Sequence, residues 1–174
     1  FENTIAVDMA VGGSTNTCLH LPAIAHEVGL ELTMKHFAQI AERTPHLVLL
    51  KPAGKHYAQD MYEAGGIPAL LNEMLGHGLS YPDCITVTGR SIANNVAGKD
   101  IAEPDVIHPV KSPISPRGGI SILYGSLAPG GAVVKNAAVA QEMMVHSGPA
   151  RVFEQEETAL KAILGGEIHP GDVV

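Results

Sequence analysis

The residue types best suited to chemistry lie in one short run, Gly12-Gly13-Ser14-Thr15-Asn16-Thr17. A glycine-rich turn entering a helix exposes backbone N–H groups and the positive end of the helix dipole, and so can hold an anion. The hydroxyls of Ser14 and Thr15 and the amide of Asn16 add directed hydrogen bonds, which makes these three the candidate substrate-binding or cleft residues. The same pattern describes a capped turn, in which Ser14 or Thr15 satisfies the helix's own free donors. Local sequence leaves both readings open. Asp8 follows an apolar run and is the one acidic residue placed as site residues are, with a turn or helix-cap contact as its alternative.

Other reactive side chains carry less. His20 and His26 are six residues apart, about 240° around an ideal helix, so they face different ways. None of the nine histidines falls in an HExxH pattern or a Cys/His cluster, and no zinc site is legible. Cys18 and Cys84 are distant and form no CxxC pair, which speaks against a disulfide framework and for a reducing, cytoplasmic setting. Glu154, Glu156 and Glu157 open a helix and belong in solvent. Ser112-Pro113-Ile114-Ser115-Pro116-Arg117-Gly118-Gly119 concentrates backbone constraints, two prolines fixing φ and two glycines permitting close approach, to shape a pocket or to join two strands.

The elements that must position these residues come from a chain of 174 residues, 45% hydrophobic and 17% charged, the balance of a globular protein of one or two domains. A net charge of -7, with eleven scattered Lys and Arg, argues against a nucleic-acid partner and for a small ligand. No apolar run is long enough to span a bilayer, and no basic segment leads into an apolar one at the start, so a membrane role is not expected. The opening Phe1 and the closing Gly-Asp-Val-Val read as cuts in a longer protein.

Thr4–Val7 is expected as a buried strand, followed by the Gly12–Asn16 turn and a helix stopping at Gly29. Thr33 can cap a second helix with Phe37, Ile40 and Ala41 inward, ended by Thr44-Pro45. Leu47–Leu50 suits a strand covered on both faces. Helices from about His56 to Ala64 and from Pro68 to about Gly78 follow, the latter with Leu70, Leu71, Met74 and Leu75 inward. After about Ser80, short β-type runs at 85–88, 106–108, 120–124, 132–135 and 150–153 alternate with Pro and Gly turns, and one helix spans Glu154 to Leu164. The fold class is therefore α/β. Residues 1–79 are expected to end a parallel-sheet α/β domain, and residues 80–174 to begin a β-barrel-like (β/β/α) domain.

Eight runs in register resemble the dihydroxy-acid and 6-phosphogluconate dehydratase family. In the first half these are Val7–Thr17, Glu42–Leu47, Leu50–Lys55, Glu63–Ala69 and Thr86–Gly89. In the second half they are Ser112–Gly119, Leu127–Lys135 and Gly148–Phe153, so the resemblance covers nearly the whole chain. The Ser-Thr-Asn-Thr turn and the Arg43–Leu47 run look closer to the dihydroxy-acid branch, which serves branched-chain amino-acid biosynthesis, than to the sugar-acid branch.

The resemblance implies a hydro-lyase that dehydrates a 2,3-dihydroxy acid to a 2-keto acid. An iron–sulfur cluster acts on the leaving hydroxyl, magnesium holds the carboxylate side, and a serine alkoxide serves as base. It also implies a small dihydroxy acid as partner and a homo-oligomeric parent. The cluster cysteines and most magnesium ligands are expected upstream, and a further glutamate and the serine downstream. No catalytic or metal-binding residue is therefore assigned to this chain, and no cofactor is expected bound to it alone. Competing with a dehydratase segment are a small-anion-binding module built on the Gly12–Thr17 turn and a β-rich interaction domain with a helical lid.

Overall fold

The computed structural model describes residues 1–174 and divides into two compact units, Phe1–Ala138 and Val139–Val174. The elements are α1 (Glu2–Val11), α2 (Thr17–Glu27), α3 (Met34–Arg43), α4 (Ala58–Glu63), α5 (Gly66–Gly76), α6 (Ile92–Val96), β1 (Ser121–Leu123), β2 (Ala132–Val134) and α7 (Glu156–Leu164). Helices thus combine with one small antiparallel sheet, a mixed α/β character. No helix is long and apolar enough to cross a membrane.

In the first unit α1 is central. Ile5, Ala6, Met9 and Ala10 are all within 1% of full burial, and even Asp8 on the same helix is buried. Thr4–Val7, expected as a strand, lies inside this helix. A helix buried over most of its circumference shows no polar stripe, so its 3.6-residue period is hidden. Helix α3 does show the period, and Phe37, Ile40 and Ala41 are buried as expected. Its start is held by Thr33, whose N–H donates to His36 Nδ1 at 3.0 Å. Helix α5 buries Leu70 and Met74, and Gly78 beyond it takes the left-handed conformation (φ 69°) that ends the helix.

The expected strands fare unevenly. Leu47 and Val48 are fully buried, but their N–H groups donate to the Ala10 carbonyl of α1 (2.7 and 3.1 Å), so a helix end takes the place of a neighbouring strand. No parallel sheet forms. Strands β1 and β2 pair in the register Ser121↔Val134, Ile122↔Val133 and Leu123↔Ala132, and β1 packs on α3. The runs at 85–88 and 150–153 make single bridges, Ile85↔Ser91 and Ala150↔Val173. Val106 and Ile107 are buried in a turn whose next residue, His108, donates its N–H to Leu47 (2.8 Å).

The composition changes near Ser80, whereas the compact units divide after Ala138. Residues just past Ser80 are tied back to α1. Asn3 and the Tyr81 backbone exchange two hydrogen bonds (3.0 and 2.7 Å), and the Tyr81 hydroxyl donates to Glu2 at 3.0 Å.

The second unit has α7 over a loop closed by the Ala150↔Val173 bridge. Arg151 N–H donates to the Val173 carbonyl (2.8 Å) and its guanidinium to the Glu167 carbonyl (2.7 Å). The Asp172 carboxylate accepts from His169 N–H at 3.0 Å.

Replacement of Phe37 by Ala should cost about 3–5 kcal/mol, the usual loss for a fully buried aromatic, because its ring is 0% exposed among α1, α3 and the Leu47–Val48 segment. Leu164→Ala, at a residue 79% exposed, should change stability by under about 0.5 kcal/mol. Urea denaturation of both variants checks the pair; equal losses would contradict this placement of the core.

Candidate functional site

Between α1 and α2 the chain turns through Gly12, which caps α1 in the left-handed conformation (φ 54°, ψ 50°). Gly13 follows, donating its N–H to the Asp8 carbonyl at 2.9 Å. A Cβ at Gly13 would collide with the Asp8 carboxylate, so only glycine lets the turn close over it. That carboxylate organises the turn. One oxygen accepts the Ser14 N–H (3.2 Å) and the other the Thr17 hydroxyl (2.6 Å), which also approaches the Ser14 carbonyl. Asp8 thus makes the turn contact that the sequence left as one of two alternatives.

The helix-entry donors are used internally. Asn16 N–H donates to Ser14 Oγ (3.2 Å), Thr17 N–H to the Ser14 carbonyl (3.1 Å) and Cys18 N–H to the Thr15 carbonyl (3.1 Å). The anion-holding capacity of this helix start is met by Asp8 of the chain itself. Ser14, Thr15 and Asn16 are exposed together on the outer side of the turn. What they offer outward is the Thr15 hydroxyl, the Asn16 amide and the Ser14 hydroxyl proton.

Electrostatics follow from burial. Asp8 has its pKa raised by loss of solvation, against the pull of its bonds from Thr17 and Ser14 and of the Lys135 charge. Beneath it the buried Cys18 thiol is pushed up to about 11, first by burial and then by the Asp8 charge. It is held as a neutral thiol, without the character of a nucleophile or metal ligand. Cys84 is exposed elsewhere, and His20 and His26 are exposed on α2.

His46 is the residue that sequence reasoning missed. It is 2% exposed, and its backbone bridges to the proline-glycine loop, with His46 N–H donating to Ser115 and Ile114 N–H to His46 (both 2.9 Å). Its Nε2 is buried without a hydrogen-bond partner. A Cβ at Gly12 would lie 2.7 Å from that nitrogen and one at Gly119 would lie 3.1 Å from it. Burial lowers its pKa, a hydrogen bond to the Val48 backbone works against this, and the Lys135 and His108 charges lower it further. The imidazole is therefore a neutral wedge between the turn and the loop. A polar ring flanked by Thr44-Pro45 and the apolar Leu47–Leu50 run was the available signal. The loop itself closes on the turn, Gly119 N–H donating to the Met9 carbonyl at 2.9 Å and a Cβ at Gly119 lying only 2.5 Å from Gly12 Cα.

Because burial raises the folded-state pKa of Asp8, its protonated form fits the folded chain better. This contribution to stability is complete below the ordinary carboxylate pKa and is lost as pH rises through the raised value. Asp8→Asn keeps one acceptor oxygen for the Ser14 N–H, lets its NH2 donate to the Thr17 hydroxyl, whose own proton turns to the Ser14 carbonyl, and removes the desolvated charge. The variant should therefore be at its most favourable relative to the parent at neutral pH, and that advantage should fade toward pH ~4. Asp8→Ala should instead cost about 1–3 kcal/mol through orphaned donors. Denaturation midpoints between these pH values decide, and an Asn-minus-parent difference independent of pH would refute the assignment.

Comparison with known proteins gives the family. Residues 1–95 match the family described as Dihydroxy-acid/6-phosphogluconate dehydratase N-terminal, and residues 105–174 match its C-terminal counterpart. The chain is 58% identical over 174 residues to a dihydroxy-acid dehydratase of Moorella thermoacetica, covering 100% of this chain and 32% of that protein. It is 52% identical over 174 residues to one of Acetivibrio thermocellus, covering 100% and 31%. To one of Ignicoccus hospitalis it is 50% identical over 173 residues, covering 99% and 31%. It thus spans just under a third of the length of these curated relatives. Together the two matches span nearly the whole chain, and it belongs to the dihydroxy-acid/6-phosphogluconate dehydratase family.

Proposed function

We propose that this chain is the segment of a hydro-lyase that shapes one wall of the cleft for a 2,3-dihydroxy acid, which the whole enzyme dehydrates to a 2-keto acid. The observation that carries the reading is identity of 50–58% along the full chain to proteins named dihydroxy-acid dehydratase. That name favours a dihydroxy acid over a phosphorylated sugar acid as substrate.

The residues present do not fit the iron–sulfur cluster or the magnesium ion that the family implies. A cluster takes three or four thiolates, whereas the chain has two cysteines, one of them a buried thiol with its pKa pushed up to about 11. No three His, Cys, Asp or Glu side chains are grouped to hold a metal.

The contribution of this chain is positional. Asp8 fixes the turn from below, His46 and Gly119 brace it from behind, and Ser14, Thr15 and Asn16 face outward. With every backbone donor from Gly13 to Cys18 except the Thr15 N–H used internally and the Asp8 carboxylate underneath, the turn suits the hydroxyl end of the substrate better than its carboxylate.

The isolated chain should contain no stoichiometric iron and should form no keto acid, trapped as its hydrazone, from 2,3-dihydroxy-3-methylbutanoate; turnover above a no-protein control would refute the proposed division of labour. In the longer enzyme, changing Ser14, Thr15 and Asn16 together to Ala should lower kcat/KM more than stability. Each lost neutral contact is worth about 0.5–1.5 kcal/mol, and about 1.4 kcal/mol is tenfold in rate, so two or three lost contacts give roughly a ten- to thousandfold drop. Thermal melts with steady-state kinetics separate this from a capping role. A lowered Tm with kcat/KM per folded molecule within about threefold would make the turn purely structural.

A further inference from the structure

A second site lies in the first unit, in a cavity of about 460 Å³ between the Leu49–His56 loop and the segment from Asp105 to Ile114. This volume falls within the roughly 300–1,000 Å³ of small-molecule sites. Both walls are built. The loop is closed by Lys51 N–H donating to the His56 carbonyl (2.7 Å) and Gly54 N–H to the Leu50 carbonyl (2.9 Å). A Cβ at Gly54 would collide with the Leu49 carbonyl. Opposite, Val106 is anchored in the core and His108 N–H donates to Leu47 at 2.8 Å.

The chemistry of the lining is mixed in a specific way. Leu49, Val106 and Ile114 give an apolar floor, while Lys55 and Asp105 bring one charge of each sign. Neither of these two takes part in any ion pair of the protein. The neighbouring Lys51, by contrast, is engaged over the Tyr57 ring, 5.5 Å from its centroid. His108 Nδ1 lies 3.3 Å from the Ser112 carbonyl, which can only accept, so a proton sits on Nδ1 and Nε2 is the ring nitrogen with no partner in the protein. Lys55 can therefore take a carboxylate, Asp105 an ammonium, and the floor an aliphatic body. A bare carboxylate would meet Asp105 uncompensated, and a bare amine would meet Lys55.

We propose that this cavity binds a zwitterionic α-amino acid with an aliphatic side chain. The inference stands apart from the role of the Ser14–Asn16 turn, since it involves none of its residues.

The test is amide-resolved NMR titration of the 174-residue chain with L-leucine. Saturable shifts are expected in residues 49–56 and 105–114. Two half-ligands serve as controls, 4-methylpentanoate lacking the ammonium and 3-methylbutylamine lacking the carboxylate. Each should bind about ten- to a hundredfold more weakly, the loss that follows removal of one contact to a charged group. Lys55→Gln and Asp105→Asn, both at exposed positions where substitution leaves the fold intact, should weaken L-leucine by a similar factor. Lys161→Gln, in the second unit, should change nothing. No saturable shift at millimolar L-leucine, shifts centred elsewhere, or equal affinity for 4-methylpentanoate would each overturn the proposal.

Discussion

The last carbonyls of an α-helix have no partner within the helix, and a buried helix end must find donors elsewhere or lose stability. In this chain that requirement fixes the first unit. The Ala10 carbonyl of α1 accepts from both Leu47 and Val48, and the Met9 carbonyl accepts from Gly119, at 2.7, 3.1 and 2.9 Å. Segments 37 and more than 100 residues away in sequence are thereby drawn to one point. The approach is possible because Gly12, Gly118 and Gly119 carry no Cβ: at Gly118 one would sit 2.8 Å from Met9 Cβ, and at Gly119 2.5 Å from Gly12 Cα. The α1 terminus serves as the edge to which the extended Leu47–Val48 run attaches, which is why that run is buried and extended without belonging to a sheet.

The same junction determines what the adjacent turn can do. A helix start usually attracts an external anion because its first N–H groups are free. Here Asp8, one turn before the end of α1, delivers a carboxylate to the start of α2 and takes up the Ser14 N–H and Thr17 hydroxyl. The charge that raises the Cys18 thiol is this same carboxylate. What remains open at the turn is the Thr15 N–H and the exposed side chains of Ser14, Thr15 and Asn16.

Legibility in the sequence followed solvent contrast. Helix α3 was readable because Phe37, Ile40 and Ala41 alternate with exposed polar residues, and the ends of α2 and α5 because Gly29 and Gly78 adopt positive φ. Helix α1 was not, since Ile5, Ala6, Met9 and Ala10 are buried together and the pattern Thr-Ile-Ala-Val satisfies a buried strand equally well. Of the β-type runs after Ser80, the two that pair are joined by a loop short enough to bring them side by side. Ile85–Thr88 instead folds back on itself through Thr86, Thr88 and Asn95 side-chain bonds. The turn was legible as a place. Its chemistry was not, because the occupancy of its donors depends on where the Asp8 side chain points, and His46 depends on contacts with residues 12 and 119 that no local pattern encodes.

Three of the buried polar atoms without partners, Thr44 Oγ1, His46 Nε2 and Asn136 Oδ1, lie on the segments that meet this junction. Each such group costs about 1–3 kcal/mol relative to a satisfied one. They cluster where the Asn136 amide donates to Gly118 at 3.1 Å and where Ala137 N–H donates to Gly119 at 3.2 Å. The cost is borne by a core that includes Phe37, Met9, Leu47 and Ile120, all fully buried. Local rules of polar satisfaction are broken where a structure gives up stability for geometry, and the surrounding packing then holds the costly arrangement in place. By that reasoning the His46 wedge and the glycine contacts around it identify the face of the first unit where position, and not stability, has been favoured. Ser14, Thr15 and Asn16 belong to the turn that this arrangement holds from behind.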